Sequence, residues 1–224
     1  MILMIATYSI PTAVSKIISG KLALGEYRNA RRVFKCAFIY VVSVGLVAAV
    51  LTFAFAPALV KEQPNAILSL QILAPTIFLS GFLAIYRGYL QAYKTMIPTS
   101  ISQIIEQIAN AVVSVLAAYL MSRPFAPGTS EHAKYGAAGS AMGTGAGVLC
   151  GIIYILIAYA GRRKEIMETV ESDVSSNIES YGKLFRQIVM IVTPIIIAAF
   201  VYNITTTVDM KIFYNVLNLS LIHI

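Results

Sequence analysis

The chain has 224 residues, of which 58% are hydrophobic and only 12% are charged, and its mean hydropathy is +0.77. Because soluble domains carry about 25% charged residues, this composition excludes an ordinary soluble domain. The net charge of +7 lies in segments between apolar runs and not on a soluble basic face, which argues against a nucleic-acid-binding protein.

Five long apolar runs predict complete membrane-spanning helices, and a shorter run predicts part of a sixth. Each long run reaches the length of about 20 residues that crosses a bilayer core, and backbone polar groups inside lipid must be satisfied within the segment. The predicted fold class is therefore an all-α polytopic membrane protein. The predicted spans cover residues 1–15, 36–60, 66–86, 97–121, 135–161 and 187–208.

The first 15 residues are apolar but too short for a complete span. They have neither the basic start nor the small-residue cleavage site of a signal peptide. We therefore expect them to be the end of a span whose beginning is missing. The basic segment that follows, residues 16–35, is predicted to be a loop with a short interfacial helix.

The distribution of lysine and arginine predicts the orientation in the membrane. Residues 16–35, 87–96 and 162–186 hold six, two and five of the 17 Lys and Arg residues, against four in the other segments. Cytoplasmic loops carry the excess of basic residues. These three segments are therefore predicted to be cytoplasmic.

The turn at residues 87–96 carries candidate lipid-binding groups. Three tyrosines share one helical face there, namely Tyr86, Tyr89 and Tyr93. One interpretation is interfacial anchoring, with the tyrosines at headgroup level and Arg87 reaching water. The alternative is that Arg87 binds an anionic lipid headgroup such as a pyrophosphate, which suits its planar fork. Lys16 and Lys94 are weaker candidates for the same role.

A polar stripe runs along the span at residues 97–121. It comprises Thr99, Gln103, Glu106, Asn110 and Ser114, which share one helical face. Glu106 lies about 14 Å along the helix from Ile97, where a charged carboxylate costs at least a few kcal/mol. Glu106, Gln103 and Asn110 are therefore candidates for a cavity wall that contacts a polar or charged substrate, or for a protonation site. The alternative is a hydrogen-bonded glutamate that fastens two helices.

Glycines recur at every fourth residue of the span at residues 135–161, at Gly139, Gly143, Gly147 and Gly151. Such a ladder of small residues lets another helix approach closely. Tight packing within the chain is the main interpretation, and self-association or a sliding contact is the alternative.

Proline interrupts three of the predicted spans, at Pro11, Pro75 and Pro194. Each is expected to kink its helix. Kinked or broken spans are typical of transporters, where freed backbone groups line a cavity, although receptors and channels contain them too.

The remaining sequence contains no signature of a cofactor or metal site. It has no metal-ligand spacing, P-loop or Ser/His/Asp group, so no cofactor is expected, while coupling to an ion or a proton stays open. Cys36 and Cys150 lie in apolar runs and are expected to be packing residues and not a disulfide.

The C-terminal part divides into a linker, a further span and an unusual end. Residues 162–186 form a charged linker with five basic and five acidic residues, and residues 187–218 begin another membrane region. The last six residues, LSLIHI at 219–224, match the translation of a widely used sequencing-transposon end. We expect them to be an adapter artefact in a gene cut at both ends; a chance hydrophobic tail is the alternative.

Three stretches together resemble the polysaccharide-biosynthesis and stage V sporulation protein B group. They are IPTAVSKIISGKLALGEYRNARRVFK at residues 10–35, YRGYLQAYKTMIPTSISQIIEQIANAVVSVLAAYL at 86–120 and YGAAGSAMGTGAG at 135–147. This group is related to lipid II flippases and to multidrug-and-toxin-extrusion (MATE) transporters, within the multidrug/oligosaccharidyl-lipid/polysaccharide exporter superfamily.

The resemblance implies a helical bundle of two pseudo-symmetric lobes around a central cavity. Residues 1–161 would supply most of the N-terminal lobe, residues 162–186 the connection between lobes, and residues 187–218 the first helix of the second lobe. The family's cationic cavity residues lie partly outside this sequence, so the resemblance assigns such a role only to Lys16.

The function implied is transport and not enzymatic catalysis. The leading hypothesis is a flippase in a bacterial plasma membrane that moves a lipid-linked saccharide, either a peptidoglycan precursor or a polysaccharide repeat unit, to the outer leaflet by alternating access. Expected partners are the bilayer, this substrate, and cell-wall or polysaccharide synthesis proteins, but no nucleic acid. The alternatives are a cation-coupled multidrug antiporter, favoured by Glu106, and a non-transporting scaffold in cell-wall or spore-coat synthesis. Arg87 and Lys16 favour the flippase.

Overall fold

The computed structural model describes residues 10–60, 64–173 and 178–222, and its regular structure within these ranges is helical. The predicted all-α polytopic membrane fold is confirmed. Residues 1–9 of the predicted first span and residues 223–224 of the C-terminal hexapeptide lie outside the described residues. The elements are α1 (Ile10–Ala23), α2 (Tyr27–Leu59), a 3₁₀ turn (Pro64–Ala66), α3 (Ile67–Ala92), α4 (Ile97–Ser122), α5 (Ser130–Glu171) and α6 (Tyr181–Ile222).

Four of the described helices are long and apolar enough to cross a membrane. They are α2, α3 with the 3₁₀ turn before it, α4 and α5. Large apolar side chains on the outside of α2 and α4, such as Phe53 and Val115, are exposed. In a membrane protein these side chains face lipid and need no protein partner.

The segment predicted as a basic loop, residues 16–35, is mostly helical instead. Helix α1 continues to Ala23 and α2 begins at Tyr27, so only a three-residue turn separates them. Gly25 adopts a positive φ of 74°, which an L side chain rarely tolerates. The backbone N–H groups of Gly25 and Glu26 donate to the carbonyls of Leu22 and Lys21 at 3.1 and 3.0 Å. This turn satisfies the last carbonyls of α1, so no loop is needed.

The linker predicted at residues 162–186 also begins as helix, because α5 continues to Glu171. With 42 residues and a rise of 1.5 Å per residue, α5 is about 63 Å long. This is about twice the thickness of a bilayer core. The charged end of α5 therefore extends beyond the hydrocarbon and can remain helical in water.

The prolines lie within helices. Pro75 and Pro194 are inside α3 and α6, as is Pro57 inside α2, whereas Pro11 lies in the first described turn of α1. An interior proline has no N–H to donate to the carbonyl four residues earlier. The helix assignments nevertheless continue through these positions.

The helices pack around two connected apolar clusters. The larger cluster joins α1, α2, α3 and α6 and includes Ile166 of α5; Val14, Val33, Ile85 and Ile188 are all almost fully buried in it. The smaller cluster joins α3 to α5. Helix α4 packs mainly on α5, so it forms one edge of the described bundle.

Candidate functional site

A buried polar unit joins α3 to α4. The Arg87 guanidinium, 1% exposed, donates from Nη2 to Glu106 Oε2 at 2.7 Å and from Nε to Ser102 Oγ at 2.7 Å. The Ser102 hydroxyl donates in turn to the Thr99 carbonyl at 2.9 Å. We call Arg87, Ser102 and Glu106 the buried polar unit.

The geometry of this unit follows from the short turn between the two helices. Arg87 lies five residues before the end of α3, and Ser102 lies five residues after the start of α4, so antiparallel packing brings them to the same depth. Glu106 is one helical turn further on, on the same face of α4 as Ser102. The long arginine side chain reaches both groups, and its positive charge is compensated by the carboxylate inside an apolar bundle.

Arg87 and Glu106, which from the sequence were candidates for separate roles, are therefore direct partners. Glu106 is thus joined to the neighbouring helix α3. Arg87 is turned into the bundle, where its Nε and Nη2 groups donate to Ser102 and Glu106. Ser102 was missed by the sequence reasoning, although its position four residues before Glu106 on the same helix face could have identified it.

The polar stripe of α4 faces the glycine ladder of α5. A Cβ atom on Gly147 would lie 2.6 Å from the Glu106 carbonyl oxygen and 3.0 Å from Asn110 Cβ. On Gly143 or Gly139 it would overlap the backbone of α4 at Ser114 or Ala117. The two helix backbones are therefore in direct contact along the ladder.

The last glycine of the ladder makes room for the buried polar unit. A Cβ on Gly151 would lie 3.1 Å from Leu83 Cδ2, 3.4 Å from Arg87 Nη2 and 3.6 Å from the Ser102 carbonyl oxygen. Helix α5 thus closes over the guanidinium from a third side. The ladder and the polar stripe form one three-helix arrangement.

The other candidates are placed differently. The Ser114 hydroxyl lies 2.9 Å from Asn110 Oδ1 and 3.0 Å from the Ser140 carbonyl oxygen, so Asn110 belongs to the α4–α5 contact. Gln103 is half-buried. Lys16 is exposed on α1 and takes no part in the hydrogen bonds of the buried polar unit.

The tyrosines before the turn form a cluster that packs inside the helix bundle. Tyr89 is 2% exposed, and its ring centroid lies 4.3 Å from that of Phe34 on α2. Tyr86 and Tyr159 meet edge to face at 5.3 Å. These rings pack because α2, α3 and α5 converge there, which the sequence of α3 alone does not reveal.

A second charged cluster ties the linker to the turn between α1 and α2. Lys21 Nζ contacts Glu26 Oε2 at 2.9 Å and Glu179 Oε2 at 2.8 Å, and Lys183 Nζ contacts Glu179 Oε1 at 2.7 Å. We call Lys21, Glu26, Glu179 and Lys183 the linker clamp. The Asn29 side-chain oxygen also accepts from the Glu179 backbone N–H at 3.1 Å.

The ion pairs of the linker clamp shift the pKa of its members. Hydrogen bonds from Asn29 and Lys21 lower the pKa of Glu26, and those from Lys183 and Lys21 lower the pKa of Glu179. Burial by itself would lower the pKa of Lys21, but the bonds to Glu179 and Glu26 outweigh it and raise this pKa. The charged forms are therefore the ones that the fold stabilises.

The described residues contain no cluster of His, Cys, Asp and Glu that could hold a metal ion. Cys36 and Cys150 are free thiols.

Comparison with known proteins gives matches along almost the whole chain. A family model described as "Polysaccharide biosynthesis protein" matches residues 1–219. "Lipid II flippase MurJ" of Bacillus subtilis (strain 168) is 21% identical over 220 residues, 93% of this chain and 40% of the relative. "Stage V sporulation protein B" of the same organism is 21% identical over 201 residues, 88% of this chain and 37% of the relative. The chain thus spans about two-fifths of the length of these curated relatives. The solved structures give no significant match.

Proposed function

The chain belongs to the polysaccharide biosynthesis protein family, and from this we propose that it forms part of a flippase for a lipid-linked saccharide. The proposed substrate is a peptidoglycan precursor or a polysaccharide repeat unit, and the proposed direction is from the cytoplasmic to the outer leaflet. The proposal makes the chain a transporter component and not an enzyme. The observation that carries it is the family match over residues 1–219, because it covers α1 to α5 completely and all but the last three residues of α6.

The membrane setting and the family are established facts on which the proposal rests. The chain is a multi-pass protein of a bacterial plasma membrane, and the resemblance seen in its sequence is confirmed. One relative carries "lipid II flippase" in its name. The extension of that activity to this chain is our proposal.

The geometry of the buried polar unit supports a flippase over a cation-coupled antiporter. The sequence favoured the antiporter through a lone carboxylate at mid-membrane, which would attract a cation. In the structure Glu106 is compensated by Arg87 at 2.7 Å. A compensated carboxylate offers little attraction to a cationic drug, and the observation behind the antiporter hypothesis is weakened.

The packing supports a mechanism in which this part of the protein moves as one body. Alternating access is largely the rocking of one helical bundle against another around a fixed site. The glycine contacts hold α5 on α4, and the buried polar unit holds α4 on α3. The exposed Lys16 on α1 is the proposed contact for the substrate's diphosphate, and the segments at residues 16–35, 87–96 and 162–186 are proposed to face the cytoplasm.

Transport of labelled lipid tests the proposal. The protein encoded by the whole reading frame that contains this chain is reconstituted in vesicles with a fluorescent undecaprenyl-diphosphate saccharide. We expect labelled lipid in the inner leaflet to become accessible to an external quencher much faster than in protein-free vesicles. A Lys16→Gln variant should slow this exchange, whereas Lys164→Gln, which removes an exposed lysine from the end of α5, should not.

Two outcomes would replace the proposal by an alternative. Proton-dependent uptake of a cationic dye without lipid exchange would assign the protein to the multidrug antiporters. Neither activity in a correctly folded, full-length preparation would favour the non-transporting scaffold.

A further inference from the structure

A basic groove lies where α2 begins, separate from the buried polar unit. It has a volume of about 350 Å³ and is bounded by the first turns of α2, the end of α5 and the start of α6. Four of its eight lining residues are cations and one is a carboxylate. They are Arg28, Arg31, Arg32, Lys35, Val170, Glu171, Ile178 and Tyr181.

Three of the four cations are available to a ligand. Arg32 is fixed, because its Nη1 donates to the Glu179 carbonyl at 2.8 Å and its guanidinium lies 4.9 Å from the centre of the Tyr181 ring. Arg28, Arg31 and Lys35 form no ion pair with a carboxylate in the described part of the chain. Two carboxylates lie nearby, since Glu171 lines the groove and Asp173 Oδ2 accepts from the Arg28 backbone N–H at 2.8 Å. The four cations outnumber these carboxylates, which leaves a net positive site for a multiply oxygenated anion, and arginine binds such an anion through its planar fork.

An apolar cleft continues from the groove along α2. Its volume is about 310 Å³, and it is lined by Phe34, Lys35, Phe38, Ile39 and Tyr86. Lys35 lines both spaces, so the cleft begins where the groove ends. A single ligand lying along this path would meet three cations first and then aromatic and aliphatic side chains.

The groove and the cleft coincide with the change from charged to apolar residues in α2. No charged residue occurs between Cys36 and Val60, whereas the preceding turns are basic. With 33 residues, α2 is about 50 Å long, which exceeds the bilayer core of about 30 Å. Its basic start therefore lies at the level of the lipid headgroups, with the cleft at the level of the acyl chains.

We propose that the groove binds the phosphate of an anionic phospholipid, with one acyl chain of that lipid in the apolar cleft. The groove supplies the charge, the cleft supplies the apolar contact, and their order along α2 matches the order of headgroup and chain in a leaflet. The occupant would be a bilayer lipid of the phosphatidylglycerol type. It would bind at the junction of α2, α5 and α6 and stabilise the approach of the linker to the bundle.

A single tryptophan reports directly on this site. The chain contains no tryptophan, and Ile39 is 65% exposed in the cleft, so Ile39→Trp introduces one fluorophore without filling the core. The full chain with this substitution is reconstituted in phosphatidylcholine vesicles, and quenching by phospholipids with brominated acyl chains is measured. Brominated phosphatidylglycerol should associate about 25-fold more strongly than brominated phosphatidylcholine, since each of two engaged arginines contributes about a factor of five.

Matched variants separate a built site from general surface charge. Arg28→Gln with Arg31→Gln should reduce the preference for phosphatidylglycerol to near unity. Arg163→Gln with Lys164→Gln removes the same charge from exposed positions on α5 and should leave the preference intact. An equal loss in both double variants, or equal quenching by the two lipids, would overturn the proposal.

Competition distinguishes the source of the phosphate without relying on a variant. Glycerol phosphate in excess should reduce the quenching by brominated phosphatidylglycerol. If inorganic phosphate reduced the quenching and the two brominated lipids quenched equally well, the groove would bind a free anion and not a lipid. The proposal would then fail. Stronger competition by undecaprenyl diphosphate than by phosphatidylglycerol would also refute it, because the site would then belong to the transport substrate. No transport is measured here, so this proposal and the proposed function succeed or fail independently.

Discussion

Breaking the pair of Arg87 and Glu106 should destabilise the protein strongly, whereas replacing both residues should not. Glu106→Leu leaves a guanidinium that is 1% exposed with Ser102 as its only remaining side-chain partner of the buried polar unit. An arginine cannot be neutralised by losing a proton. Removal of one partner of a buried ion pair costs about 3–5 kcal/mol, a large fraction of a typical free energy of unfolding of about 5–15 kcal/mol.

The expected change in thermal stability follows from this free energy. For a chain of this size, 1 kcal/mol shifts the Tm by about 2–4 °C, so Glu106→Leu or Arg87→Met should lower the apparent Tm in detergent by about 6–20 °C. The double variant replaces both charges by apolar side chains, which is often neutral or stabilising. Its Tm should therefore lie near that of the unaltered protein.

A double-mutant cycle decides whether the two residues act as a unit. With a loss of about 3–5 kcal/mol in each single variant and little change in the double variant, the cycle should give a coupling energy of about 6–10 kcal/mol, above the usual range of about 0.5–3 kcal/mol for residues in contact. Arg123→Met and Glu131→Leu, both at exposed positions, serve as controls and should each change stability by less than about 0.5 kcal/mol. If the loss of stability in the double variant equalled the sum of the losses in the two single variants, Arg87 and Glu106 would not be the coupled pair that their geometry indicates.

Two further predictions concern the glycine ladder and the linker clamp. Gly143→Leu should greatly reduce the yield of folded protein in size-exclusion chromatography, because its Cβ would overlap the backbone of α4; Gly161→Leu, where a Cβ meets nothing within 4 Å, should fold normally, and equal yields would contradict the packing role. The lowered pKa values of Glu26 and Glu179 contribute stability that is present above the ordinary glutamate pKa of about 4.3 and is lost as the pH falls through their folded values. The raised pKa of Lys21 contributes stability below about pH 10.4 that is lost as the pH rises through its folded value. The Tm should therefore fall at both extremes, and Lys21→Met should flatten both limbs of the pH profile; an unchanged profile would show that the clamp does not contribute to stability.

Much of the fold could be predicted from the sequence, because the bilayer strongly restricts the structures that can span it. Apolar runs of sufficient length form helices in lipid, so α2, α3, α4 and α5 could be predicted from their apolar runs, although α4 contains Glu106. The glycine repeat predicted a close helix contact for a similar reason, since small residues let two backbones approach each other. The predicted helix ends were less accurate than the predicted spans. Helices α1, α2 and α5 all extend beyond the apolar runs, because a helix in water requires no apolar residues.

The partners of the polar residues were decided only by the tertiary structure. Periodicity placed Glu106, Gln103 and Asn110 on one face of α4, but it could not say what that face meets. The rotation of each helix about its axis and its depth relative to its neighbours bring Arg87 to Glu106 and turn the stripe toward the glycines of α5. The linker clamp likewise joins Lys21 to Glu179 across most of the chain. Local sequence fixes which residues share a face because that depends only on helical geometry, whereas the contact across the face depends on the packing of the whole bundle.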